Sequence, residues 1–131
     1  MITLEAVKDW IKSLGVGEFF YMGKLDNKKE KAVGVYQRPS NNPLIIPLGG
    51  LDNKSYDIKQ VSVLVHWTKD AAETEAAALD LFSKILETKD LELNDTRVHY
   101  IRLMVPEPQD VGTDEKGVYE RVIWFDLYYE R

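Results

Sequence analysis

The chain has 131 residues, 44% hydrophobic and 30% charged, with a formal net charge of -5 and no cysteine. That length suits one domain with an ordinary core, and the acidic balance excludes a general phosphate-binding surface, which needs a basic face. The missing cysteine excludes disulfides and thiolate chemistry and agrees with assembly in a reducing cytoplasm.

The first predicted element is an amphipathic helix. In "MITLEAVKDWIKSLG", Leu4, Val7, Ile11 and Leu14 recur at helical spacing beside Trp10, while Glu5, Lys8, Asp9 and Lys12 face away. Thr3 suits the N-cap, Ile2 and Val7 the staple positions, and Gly15 the left-handed stop. Acids within the apolar pattern and the lack of a basic start separate this segment from a signal peptide. No apolar run approaches the roughly 18 residues that span a membrane.

"EFFYMGKL" and "AVGVYQR" follow, joined by the polar "DNKKEK", and read as a hairpin. Gly23 and Gly34 inside these runs mark bulges or close backbone approach. Lys24, Lys28, Lys29 and Lys31 are the richest basic cluster, but Asp26 and Glu30 interleave with them, which fits a solvated turn better than nucleic-acid contact. Between Pro39 and Ser55 lies a long irregular connection whose middle is apolar: Leu44, Ile45, Ile46 and Leu48. An apolar centre in so long a loop points to docking, on this domain or a neighbour.

"YDIKQVSVLVHW" is the clearest strand. Val61, Val63, Val65 and Trp67 share one face, while Ser62, Leu64 and His66 share the other, so the strand belongs in the middle of the sheet. Asp70 then caps a second helix, with Glu73 three residues on, running to about Thr88. Ala71, Ala78, Phe82, Ile85 and Leu86 are predicted to face the sheet. Two long strands finish the pattern, about Thr96 to Val105 and Val118 to Tyr129; in the last, Ile123, Phe125 and Leu127 lie opposite Val122, Trp124 and Tyr128. The predicted order is α-β-β-β-α-β-β, one α+β domain with two helices packed on a mostly antiparallel sheet.

Catalytic and metal-binding chemistry finds little support. "VPEPQDVGTDEKGVYER" is acidic, but an EF-hand register begun at Asp110 places Gly112, Glu115 and Arg121 where a ligand, a glycine and a bidentate Glu are required. "TDEKG" is instead good turn chemistry, with Asp114 opening the turn and Gly117 taking a positive φ. His66 and His99 lie within strands without a ligand-spaced partner. Asp126 alternates beside Trp124 and Tyr128 and reads as an edge or interface acid, with a buried, perturbed carboxyl as the alternative. No nucleophile-elbow, zincin, phosphate-loop or dinucleotide motif occurs, and no cofactor is expected. The aromatics are too many for one small core, because two short helices cannot cover both faces of the sheet. The surplus points to protein–protein contact.

Several ordered blocks then carry a resemblance: "YMGKLDNKKEKAVGVYQR", "PLGGLDNKSYDIKQVSVLVHW" and "LMVPEPQDVGTDEKGVYERVIWFDLYYER". Together they resemble the minor capsid (minor structural) proteins of tailed bacteriophages and prophages of Gram-positive bacteria, and the order of elements looks like that of phage tail terminators. The resemblance implies a non-enzymatic virion protein, assembled in the host cytoplasm as a homo-hexameric ring between the tail tube protein and the head–tail connector. No catalytic residue comes with it, and DNA would pass through the ring without specific binding. It implies an assembly interface, for which the candidates are Leu44, Ile45, Ile46 and Leu48 in the first loop, Pro106, Pro108, Val111 and Tyr119 in the second, and Trp124 and Tyr128 on the last strand. Both loops would be free in the monomer and order on assembly, and Asp110, Asp114 and Glu115 would keep a DNA channel acidic. A minor head component and a monomeric α+β binding module are the alternatives; an enzyme using Asp126 and His99 would need the two to converge in a pocket.

Overall fold

The computed structural model describes residues 1–23, 25, 28–39 and 56–130. Its elements are α1 (Leu4–Ser13), β1 (Phe19–Met22), β2 (Ala32–Gln37), β3 (Tyr56–His66), α2 (Ala71–Leu86), β4 (Glu92–Leu93), β5 (Thr96–Leu103), β6 (Gln109–Thr113) and β7 (Tyr119–Glu130). The α+β class and the predicted order hold, with the short strands β4 and β6 added. The sheet order is β1-β2-β3-β7-β5-β4, and β6 also pairs with β7.

Both helices start where local chemistry places them. The Thr3 hydroxyl accepts from the Ala6 N–H at 3.2 Å, and Asp70 Oδ1 accepts from Ala72 and Glu73 at 3.0 and 3.2 Å. Each bond satisfies a donor that the first helical turn leaves without a partner. Gly15 ends α1 at φ +80°, a conformation that favours glycine. One helix face differs from expectation. Ala71 and Leu86 are exposed, whereas Thr74 and Leu81 are buried with Ala78 and Ile85, because α2 lies on the sheet along its 74–78–81–85 stripe.

The two helices pack on one face of the sheet. Val33, Val35, Val61, Val63, Val65, Ile123, Phe125 and Leu127 are fully buried there, against Val7, Ile11, Leu81 and Ile85 of the helices. The Trp10 ring meets Phe125 edge-on with centroids 5.8 Å apart, a favoured aromatic geometry.

The expected hairpin between the first two strands is not formed, because β1 and β2 run parallel. The reason lies at the entry to β2. The Lys31 N–H bonds Trp67 O at 2.9 Å, tying the start of β2 to the far end of β3. From there β2 runs antiparallel along β3, with Val33 opposite Val65 and Val35 opposite Val63. Gly34 meets the expected close approach: a Cβ there would lie 2.9 Å from Tyr36 Cε2 and 3.1 Å from Leu25 Cγ.

The second predicted loop is also structured. Residues 109–113 form β6, paired with β7 across a bulge between Asp110 and Gly112. Gly112 takes φ +89° and donates its N–H to Asp110 Oδ1 at 2.8 Å. At the turn, Asp114 Oδ1 accepts from Lys116 and Val118, both at 2.9 Å, and Gly117 takes φ +84°. This stretch is an ordered arm in the monomer, contrary to the free loop expected from its prolines and glycines. The other predicted loop, with Leu44, Ile45, Ile46 and Leu48, lies outside the described residues.

Candidate assembly surface

Alternation along β3, β5 and β7 sends every second side chain away from the helices. On β7 these are Val122, Trp124, Asp126 and Tyr128. The register sets Ser62 of β3 beside Trp124, Gln60 beside Asp126 and Ile58 beside Tyr128. On the other flank β5 sets Arg102 beside Asp126 and Tyr100 beside Tyr128. Among the described residues no helix lies over this patch, and Tyr56 (47%), Ile58 (44%), Tyr100 (59%) and Trp124 (43%) keep large exposed fractions. The Tyr128 ring sits between Tyr56 and Tyr100, at centroid distances of 5.7 and 5.8 Å.

A charged row crosses this aromatic patch. Arg38 follows β2, held over β3 by its N–H to Gln60 O at 3.1 Å. Its guanidinium lies 5.6 Å from the Trp124 ring centroid and pairs with the Asp126 carboxylate, so one arginine serves a ring and an acid. Asp126 is buried. Burial raises its carboxyl pKa above the usual value, and the charges of Arg38 and Arg102 act in the opposite direction. Arg102 bonds the Tyr128 hydroxyl, which raises its own already high pKa. Asp126 is thus tied up by arginines, and His99 is exposed on β5 outside this row; His99 lines a groove with Leu86 and Ile101 instead. Tyrosine, tryptophan and arginine on an exposed face form the composition that dominates protein–protein contacts.

The β6–β7 arm forms a second exposed region. All five β6 residues are exposed, Val111 among them. His66, fully buried at the end of β3, brings Nδ1 within 2.9 Å of Glu120 Oε2 and Nε2 within 3.7 Å of Asp114 Oδ2, holding the base of the arm against the sheet. Arg121 joins the arm to α2 through Glu75 at 3.1 Å and donates to Pro108 O at 3.3 Å. Asp114 is drawn in two directions: burial pushes its carboxyl up, and the N–H groups of Val118 and Lys116 with the nearby His66 and Lys116 charges bring it below the usual value.

The ten candidate interface residues therefore separate. Trp124 and Tyr128 meet on the open face. Pro106 and Val111 are exposed on the arm, Tyr119 is half-buried at its base, and Pro108 is buried. Arg38, Arg102 and Ile58 were not singled out by the sequence. Arg102 and Ile58 share the outward parity of Tyr100 and Tyr56, a signal that a strand-by-strand reading could have used. Among the described residues no group of three or more His, Asp or Glu could hold a metal ion.

No curated protein matches the chain. The family model of the bacteriophage tail terminator protein matches residues 8–131, nearly the whole sequence. This agrees with the tail-terminator side of the resemblance carried by the sequence blocks. The open aromatic face and the exposed arm thus belong to a structural protein of the phage particle: the chain is a member of the bacteriophage tail terminator family.

Proposed function

We propose that this protein closes the growing end of a phage tail tube as a ring of identical subunits, six in the form the resemblance implies, and joins the tube to the head–tail connector after assembly in the host cytoplasm. The observation that carries the reading is the open sheet face, where Trp124, Tyr128, Tyr100 and Tyr56 surround the Arg38–Asp126 pair. Exposed tyrosine, tryptophan and arginine of this density belong to surfaces covered in an assembly. The ring is built from one repeated heterologous contact, and the open face and the β6–β7 arm meet the tail tube and the connector.

The test is electron microscopy of particles from a phage lacking the gene, complemented with the wild-type chain or with Trp124→Ala. Tails of abnormal length without the protein support the terminator role. Tails of normal length lying unjoined beside filled heads place its action at the junction instead. Intact infectious particles overturn the structural reading. The variant is expected to resemble the deletion while folding normally; full complementation by it removes the open face from the interface.

A further inference from the structure

Among the described residues the sheet has two open edges, and their backbone and side-chain parities match. On β1, Phe19 and Gly23 donate their N–H groups to Lys31 O and Val35 O of β2, at 3.4 and 2.9 Å. Odd-numbered residues therefore bond inward, and the N–H and C=O of Phe20 and Met22 point out of the sheet. On β5, Met104 bonds Trp124 O of β7 at 2.8 Å, with Arg102 and Tyr100 opposite Asp126 and Tyr128 in the same alternation. There the outward groups belong to Ile101 and Leu103. β4 covers Thr96 and Arg97 of this edge, and the Val98 N–H bonds Leu91 O at 2.9 Å, so among the described residues the span from His99 to Leu103 has no strand beside it, a length that suits the four-residue β1.

Side chains agree with the backbone. Phe20 and Met22 stand opposite Val33 and Val35, and Ile101 and Leu103 opposite Leu127 and Phe125. All four therefore project from the face that carries the helices. Beside the free half of β5 runs a groove of ≈ 620 Å³ lined by Leu86, Leu91, Ile101 and Leu103, open to receive apolar side chains from an added strand. β1 is an uncharged "FFYM" segment with Met22 52% exposed. An edge with neither charge nor proline invites a partner strand.

We propose that β1 of one protomer adds antiparallel to the free half of β5 in the next, with Phe20 opposite Leu103 and Met22 opposite Ile101, so that the sheet runs on from subunit to subunit. The occupant is a second copy of this chain because the two edges lie at opposite sides of one sheet and complement each other in direction, register and face. β1 runs with β2 and opposite to β3, whereas β5 runs opposite to β7 and hence along β3. A rotation about an axis along the strands then sets β1 antiparallel to β5 and keeps all helices on one side. The contact is head-to-tail, the kind that closes into a ring, and it forms by strand addition. This pairing rests on the ring reading above.

In this register Tyr21 faces Arg102 as a non-hydrogen-bonded pair, with Cα atoms about 4.5 Å apart, within disulfide reach. The chain has no cysteine of its own, so an engineered link has a clean background. Tyr21→Cys and Arg102→Cys chains, expressed together in a phage lacking the gene, are purified on tails and oxidised. A disulfide-linked dimer at least tenfold above a Tyr21→Cys with Val111→Cys control is the expected result. Tails carrying rings without the link overturn the pairing and leave the ring standing, as does a link to a protein of another size. Absence from the tails of wild-type chains and of singly substituted Tyr21→Cys chains overturns the ring and the pairing together. Met22→Pro provides a second readout: it removes one outward N–H from an edge strand, where proline is tolerated. A chain with wild-type melting that no longer joins tails is expected; normal incorporation overturns the pairing.

Discussion

Ile123, Phe125 and Leu127 are fully buried beneath the helices, whereas Trp124, between the first two, is 43% exposed on the opposite face of the same strand. The covered face is closed by apolar contacts with both helices. The open face holds rings and arginines spaced by the sheet and lacks, among the described residues, the helices that cover its opposite. One strand thus buries its odd residues in the core and, in the reading proposed above, offers Trp124 and Tyr128 for contact, so changes on the two faces should separate stability from assembly.

The largest effect is expected on the covered face. Phe125→Ala removes a fully buried ring and its contact with Trp10, and should cost about 4 kcal/mol, read as a lowered urea midpoint. Next comes the one place where the open face does structural work. Arg38→Ala leaves the buried Asp126 carboxylate without its nearest cation, for a loss of about 3 kcal/mol. Replacing both partners together, Arg38→Met with Asp126→Leu, should recover most of that loss; a double variant as unstable as the single one would break the account of the pair. Trp124→Ala should lower stability by only about 1 kcal/mol, since it loses part of an exposed ring and one arginine contact, while abolishing function on tails.

The smallest effects distinguish two acids. Asp126 has a raised folded-state pKa, first from burial, so its carboxylate weakens the fold as pH rises from the unfolded value of about 3.9 through the folded value. Below the unfolded value that cost is absent. Asp114 has a lowered one, so its contribution is complete above about 3.9 and lost as pH falls through the folded value. Urea midpoints between about pH 2.5 and 6 should therefore show opposite slopes removed by the two substitutions. Asp126→Asn takes away the decline on the alkaline side, and Asp114→Asn the decline on the acid side. Matching profiles for the two variants would contradict both assignments.

Local chemistry was legible in the sequence and long-range chemistry was not. Thr3 and Asp70 announce their helices because a cap needs only the next three residues. The parities of β3 and β7 could be read because apolar residues alternate within each strand. The direction of β1 against β2 could not, since it is fixed by a bond from Lys31 to Trp67 far along the chain. β6 was hidden because its five residues are all exposed and carry no apolar alternation. The Arg38–Asp126 pair spans 88 positions, and neither residue signals the other. Of the open face, Trp124 and Tyr128 were found from strand parity alone, while the arginines between the rings needed the register.

The place of β7 in the sheet has a consequence for how the chain is made. It is the last element in chain order, yet it pairs with β3, β5 and β6, and Val61 meets Phe125 across 64 positions. Closing so long a loop is slow compared with forming a helix. On the ribosome, α1 and α2 can form early, but the sheet under them must wait for the residues of β7 to emerge. Until then β1, β2 and β3 can pair only with one another. The uncharged edge of β1 is thus exposed longest in the nascent chain, when other copies emerge nearby, and premature pairing at that edge is the characteristic hazard of this topology.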